Sequence, residues 1–211
     1  MVVTTDMTKE GKKISPPTAE HPAYYVPVSL GYSESGDVAQ HYQRKPAEEP
    51  ILRGVVEALA KQHYLIASRD FPPTLTIVVE WGTITPVYYG QQVVNAWEIR
   101  ARVIGDQEWG LGNAGYTAEM KELRGRHFLT ISAFAYQREA SKKHPDILLW
   151  RAHSTTDHWG NFLDEIVQPL IVAATPALGH ATKPGVVWSD RIGHVEIGES
   201  VVRETDEDQR P

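Results

Sequence analysis

No cysteine occurs among the 211 residues. That absence excludes disulfide frameworks, thiolate metal sites, cysteine nucleophiles and thiol redox chemistry. Long hydrophobic runs are also missing, so nothing in the sequence reads as a membrane-spanning helix. Basic residues are the minority, 21 Lys and Arg against 27 Asp and Glu, and the net charge of −6 argues against a binder of phosphate backbones. Neither a G-x-S-x-G nucleophile elbow, nor a Walker phosphate loop, nor an H-E-x-x-H helix occurs. What remains is ordinary: 41% hydrophobic and 23% charged residues, in a chain long enough to bury one core without metal or disulfide staples. A soluble, single-domain, mixed-structure protein is expected.

The two ends look different from the middle. Residues 1–21 are rich in Thr, Lys, Glu, Ser and Pro with little apolar periodicity, and read as a flexible leader. They lack the apolar centre of a secretory signal. At the other end, Glu196, Glu199, Glu204, Asp206, Glu207 and Asp208 face only Arg203 and Arg210, which accounts for −4 of the −6. Residues 203–211 are expected to form a solvated acidic tail, and 22–202 a single domain.

Within that domain, Tyr24 to Leu30 reads as a strand, with Pro27 at an edge or bulge because it has no N–H to donate. A helix follows, with Glu48, Glu49 and Pro50 in its first turn and an apolar stripe of Ile51, Leu52, Val55, Val56 and Leu59. Tyr64 to Ala67 leads into a short strand. Leu75, Ile77, Val79 and Trp81 then alternate with Thr74, Thr76, Val78 and Glu80, which predicts a core strand. Gln91 to Ile104 fits both periods, and Gly105 as a stop favours helix. A further short helix is expected near Thr117 to Leu123. Phe128 to Tyr136 and Ile147 to Thr155 read as a hairpin. Phe162 to Ala174 reads as the last helix, capped by Asn161, interrupted by Pro169 and ended by Pro176 and Gly179. Two helices with apolar stripes need a shared apolar surface. The expected fold is therefore α+β: a mostly antiparallel sheet with two principal amphipathic helices packed on one face.

Three sets of residues invite chemistry. Gly110, Gly112 and Gly115 have dinucleotide-loop spacing, but no buried strand delivers the first glycine and Glu108 would repel phosphate, so a surface loop is the reading. His153, Asp157 and His158 meet at a strand-to-helix junction. Imidazole and carboxylate are the right types for zinc or acid–base work, with His144, His180 or His194 as further ligands if the fold delivers them. Read without function, they form a polar junction at the sheet rim, with Asp157 turning the chain. Trp81, Trp97 and Trp150 fit core positions. Tyr88, Tyr89, Trp109, Trp159 and Trp188 fall in expected loops, packed beneath them or forming a binding surface.

The order of a helix running into Gln62-His63-Tyr64-Leu65-Ile66-Ala67, the strand Leu75 to Val79, the strand Leu129 to Tyr136, then Leu148-Leu149-Trp150-Arg151-Ala152 and a closing helix resembles a family of bacterial cell-envelope lipoproteins, domains of unknown function. The resemblance covers residues 46–178 and carries no catalytic residues. It implies a non-catalytic binding or scaffolding protein of the envelope, without cofactor, periplasmic or outer-membrane-associated where a signal peptide has been removed and otherwise cytoplasmic. Protein, glycan or another envelope component would be its partner, and nucleic acid would not. The rival reading is a metal-assisted hydrolase in which His153, Asp157 and His158 hold a zinc that lowers the pKa of its bound water.

Overall fold

The computed structural model describes residues 1–35, 45–84, 87–89, 92–94, 126–137, 147–157 and 162–182. Eight strands and two α-helices run through these segments: β1 (Val2–Met7), β2 (Ala23–Ser35), α1 (Glu48–Lys61), β3 (Tyr64–Ile66), β4 (Leu75–Ile84), β5 (Val87–Tyr89), β6 (Gln92–Val94), β7 (Arg126–Ala135), β8 (Leu148–Asp157) and α2 (Leu163–Ala174). Six strands form one sheet in the order β1-β8-β7-β4-β2-β3, and β5 pairs with β6 alone. The fold is α+β.

The sheet is mixed rather than mostly antiparallel. β1 with β8, β8 with β7 and β7 with β4 are antiparallel, whereas β2 runs parallel to both β4 and β3. The cause is the connection: α1 carries the chain from the end of β2 back to the start of β3, and a helical crossover returns the next strand in the same direction. His63 closes that crossover in the left-handed region, at φ 62, where its N–H still reaches Ala60 O.

Residues 1–21 do more than lead in. Val2–Met7 is an edge strand registered residue by residue against β8, with Val2, Val3 and Thr5 buried. Val3 packs with Ala173 of α2 and Ala177 just after it. A short polar segment lacks the apolar content to fold by itself, but six backbone positions paired with a formed sheet offset its ordering entropy.

Elsewhere periodicity serves well. Leu75, Ile77, Val79 and Trp81 are buried on one face of β4, while Thr76, Val78 and Glu80 are half-buried on the other. The β7–β8 pair is the expected hairpin, and α1 begins and ends as expected, with Glu48 and Glu49 in its first turn and Lys61 in its last. Pro27 sits on β2 beyond the reach of β3, which pairs only with Ala23 to Tyr25, so its missing N–H interrupts no ladder there.

Two local expectations change. The residue before α2 is Phe162, without a side-chain cap, so the helix starts one residue later and Asp164 and Glu165 supply negative charge to its first turn. Gln92 to Val94 is a strand paired with Val87 to Tyr89, not the start of a helix, and Tyr88 and Tyr89 lie in that hairpin. The remainder of Gln91 to Ile104, Thr117 to Leu123, the Gly110 to Gly115 loop, Trp109, Trp159, Trp188, Asn161 and the acidic tail lie outside the described residues.

One apolar cluster joins Ile51, Val55 and Leu59 of α1 and Leu163, Val167, Leu170 and Ile171 of α2 to Ile77, Val79, Trp81, Leu129, Ile131 and Ala152 of the sheet. This is the core face. The register then places Arg126, Phe128, Thr130 and Ser132 of β7, and Arg151, His153 and Thr155 of β8, on the opposite, outer face.

Candidate functional site

β7 and β8 run side by side through the middle of the sheet, so alternate residues on each carry matched side chains outward. His153 belongs to this outer face and is 2% exposed. Its Nδ1 lies 2.8 Å from the Oγ1 of Thr130, its register partner on β7, and the Phe128 ring stacks beside it at 6.2 Å and 19°. Neighbouring rows continue the pattern. Arg151 donates from Nε to Ser132 Oγ at 2.8 Å, and Arg126 donates from Nη1 to Thr155 Oγ1 at 3.3 Å.

Asp6 on β1 is registered opposite Arg151. Partial burial raises its pKa, and the positive charge of Arg151 offsets only part of that shift. The outer face is thus a lattice of hydroxyls and cations tied strand to strand, with a carboxylate at its margin.

Of the expected His153, Asp157 and His158 cluster, only the His153 side chain lies among the described residues. His153 is bonded to Thr130. Asp157 ends β8 opposite Arg126, but its side chain, His158, His144 and His194 lie outside the described residues. His180 is exposed in the turn after α2. Among the described residues no three His, Asp or Glu side chains come together in a way that could hold a metal.

A second histidine is not singled out by sequence motifs. His127 lies on the core face, 0% exposed, with Nδ1 2.8 Å from the Oγ1 of Thr83 on β4, itself 1% exposed. On the neighbouring strand β2, Tyr32 donates from its hydroxyl to Glu34 Oε1 at the surface. Burial and the Glu34 carboxylate push the Tyr32 pKa well up, against the opposing influence of Thr83. The ammonium of Lys45 lies 5.2 Å from the centre of the Tyr32 ring. A signal for His127 does exist in the sequence. Extending the alternation of Leu129, Ile131 and Ala133 back by one step puts it on the same face, but a polar ring at that step reads as the residue before the strand.

The other end of the sheet holds an apolar cleft walled by Met7, Ile14, Pro17, Tyr64, Leu75 and Trp150. The Tyr64 and Trp150 rings meet at 5.6 Å, and burial pushes the Tyr64 phenol up to about 12. Gly179 closes this corner at φ 75, where a Cβ would fall 2.0 Å from the Tyr64 hydroxyl. No other residue type fits that close approach without displacing the ring.

Chemically, a hydroxyl bonded to an imidazole is the geometry of an activated nucleophile. Both imidazoles here are closed off from solvent, so the two Thr–His pairs act first as cross-strand ties. Among the described residues, one open apolar surface lies at the β2–β3 side. Tyr24 and Phe71 stack at 4.8 Å and 12°, Leu65 is registered against Tyr24, and Phe71 and Leu65 are 52% and 38% exposed.

No protein-family model and no curated protein matches the chain. Among solved structures it is similar to a PDZ domain protein from Parabacteroides distasonis, with 12% identity and a TM-score of 0.45, over 86% of this chain. The chain spans 36% of that protein's length. It is also similar to a DUF4136 family protein from Bacteroides thetaiotaomicron, with 12% identity and a TM-score of 0.41, over 84% of this chain and 93% of the other.

Proposed function

We propose that this protein is a non-catalytic binding or scaffolding component of the cell envelope, periplasmic or lipoprotein-like, with its two helices covering one face of the sheet. The observation that carries the binding reading is the exposed Phe71 ring stacked on the half-buried Tyr24, with the exposed Leu65 registered against Tyr24. Aromatic and aliphatic groups left together in water at a sheet margin favour a partner that covers them. The chemistry suits a protein segment, a glycan face or another envelope component. Nucleic acid is not among the partners proposed, because the chain is net acidic and its cations on the outer face are tied to Ser132 and Thr155. Under the hydrolase reading His153 would ligate through Nε2 while Thr130 holds its Nδ1.

A photo-crosslinking amino acid placed at position 71 in the native cell, followed by fractionation, tests both halves of this reading. A discrete adduct in the envelope fraction, reduced by Leu65→Ser, is expected. An adduct confined to the cytosol, or none at position 71, would overturn it.

A further inference from the structure

We propose that residues 2–17 are an exchangeable arm, docked on its own domain in a monomer and on a second copy of this chain in a dimer. β1 lies in register along the edge of β8, and Val3 packs on Ala173 and Ala177. Thr8 fastens the next stretch, donating from its N–H to Leu149 O at 3.0 Å and from its hydroxyl to Leu148 O at 2.8 Å. Gly11 sits so close to β8 that a Cβ would fall 2.0 Å from the Leu149 oxygen. Ile14, Pro16 and Pro17 end the arm over the apolar cleft of Tyr64, Leu75 and Trp150. Each of these contacts is between the arm and the body, and none requires both partners to belong to one copy.

The hinge is the segment Thr18 to Pro22, between the arm and the start of β2 at Ala23. Here the chain turns back on itself. Thr18 and His21 exchange backbone hydrogen bonds at 3.1 Å in each direction, and His21 N–H also donates to the Thr18 hydroxyl at 3.1 Å. These bonds join the turn to itself and not to the domain, and Thr18 to His21 are exposed. The corner residues, Ala19 and Glu20, are not turn formers, and neither has the positive φ that the favoured two-residue hairpin turns require. The flanking residues prefer a straight chain. Pro16, Pro17 and Pro22 have fixed φ, and Ser15, Pro16 and His21 each precede a proline, which disfavours the helical region. The docked arm therefore holds a sharp turn in a segment whose own preference is extension, and extending it sends the arm to a neighbour. Swapped and closed forms share their arm contacts, so the hinge and the protein concentration decide between them. Five extended residues span at most about 17 Å, so the hinge ends of the two bodies stay close together.

The chain has no cysteine, so a pair introduced across the arm and its seat reports the exchange without background. Thr5 on β1 and Ala152 on β8 are register partners. Thr5 turns its N–H and C=O away from β8, to the Thr182 hydroxyl and N–H. The pair is therefore a non-hydrogen-bonded one, with Cα atoms about 4.5 Å apart and within reach of a disulfide. Full-length chains carrying Thr5→Cys alone and Ala152→Cys alone are mixed, concentrated and oxidised, and the disulfide is located by peptide mass spectrometry. A bond from position 5 of one chain to position 152 of the other is expected. Deleting Ala19 and Glu20 removes the corner and should raise the linked fraction several-fold. Ala19→Asn with Glu20→Gly supplies a turn-forming pair and should lower it several-fold. Light scattering of the deletion variant without any cysteine gives a second reading that does not depend on substitutions in the seat: a dimer is expected, and a monomer would overturn the proposal. Equal linkage with all three hinges would overturn it too, as would the absence of a 5–152 bond with the original and the shortened hinge alike.

Discussion

Strand β7 carries one member of each of two histidine–threonine pairs, on opposite faces of one sheet: Thr83 with His127 and Thr130 with His153, each at 2.8 Å. Their surroundings differ. The first pair is buried at both residues, on the face that packs into the core. The second joins a buried ring to a half-buried hydroxyl, within a face where arginines and hydroxyls make parallel ties. The same two side chains therefore do different things. With both residues buried, nothing replaces the hydrogen bond when one partner is lost. Where the hydroxyl is only half-buried, water can stand in for part of it.

The contrast between the faces is most forcefully broken through the core face itself. Ile77 is fully buried within the main apolar cluster. Ile77→Asp would bury an uncompensated charge and should cost more than about 5 kcal/mol, leaving no cooperative thermal transition. Val78→Asp, one residue along on the half-buried outer side, should leave a cooperative transition at a lower temperature. Equal loss in the two variants would mean that the faces are not distinct.

The pairs themselves come next. Thr83→Val leaves Nδ1 of His127 facing a methyl group where water has no access, and should cost about 1–3 kcal/mol in denaturant unfolding. Thr130→Val removes the same kind of bond where water can replace the hydroxyl, and about 0.5–1 kcal/mol is expected. A larger loss for Thr130→Val would reverse the assignment of roles.

A smaller effect of opposite sign is expected at Tyr25. Its hydroxyl is buried on the core face with no hydrogen-bond partner, and burial pushes its pKa up to about 12. Tyr25→Phe removes a desolvated group that returns nothing, so stability should hold or rise by about 1 kcal/mol. Clear destabilisation would show that the hydroxyl has a partner.

Asp6 gives the smallest effect and the one with a pH sign. Its folded-state pKa is raised, chiefly by burial, so the ionised form is the one that folding disfavours. The penalty is present at neutral pH and disappears as pH falls through the raised value toward the ordinary carboxylate range. Asp6→Asn should flatten that part of the stability–pH curve and leave the acid end unchanged. Arg151→Met should steepen it, because the one opposing charge is gone. A curve that Asp6→Asn does not alter would remove Asp6 from the account.

Much of this architecture is legible in the amino-acid sequence. β4 and the β7–β8 hairpin announce themselves by alternation, because a face that packs on helices must be apolar at every second residue. α1 and α2 follow from stripes that recur every three to four residues. β1 is not legible, since Val2, Val3 and Thr5 owe their burial to a strand near the other end of the chain, Leu148–Asp157. The two parallel pairings are not legible either. Nothing in the residues of β2 states whether its neighbour is joined by a hairpin or by a helix crossover.

The candidate site divides the same way. His153 stands out because His158 and Asp157 lie near it in the chain, yet its bonded partner, Thr130, lies on another strand. His127 stands alone in the sequence and meets its bonded partner only when β4 sets Thr83 opposite it. Spacing along one chain is enough to say which segments become strands and helices and which side of each faces apolar company, because both follow from local periodicity. The order and direction of the strands come from the assembled sheet alone, and with them the choice of which hydroxyl meets which imidazole. A hydrogen bond needs two groups within about 3 Å, and that proximity is set by register between strands far apart in the chain.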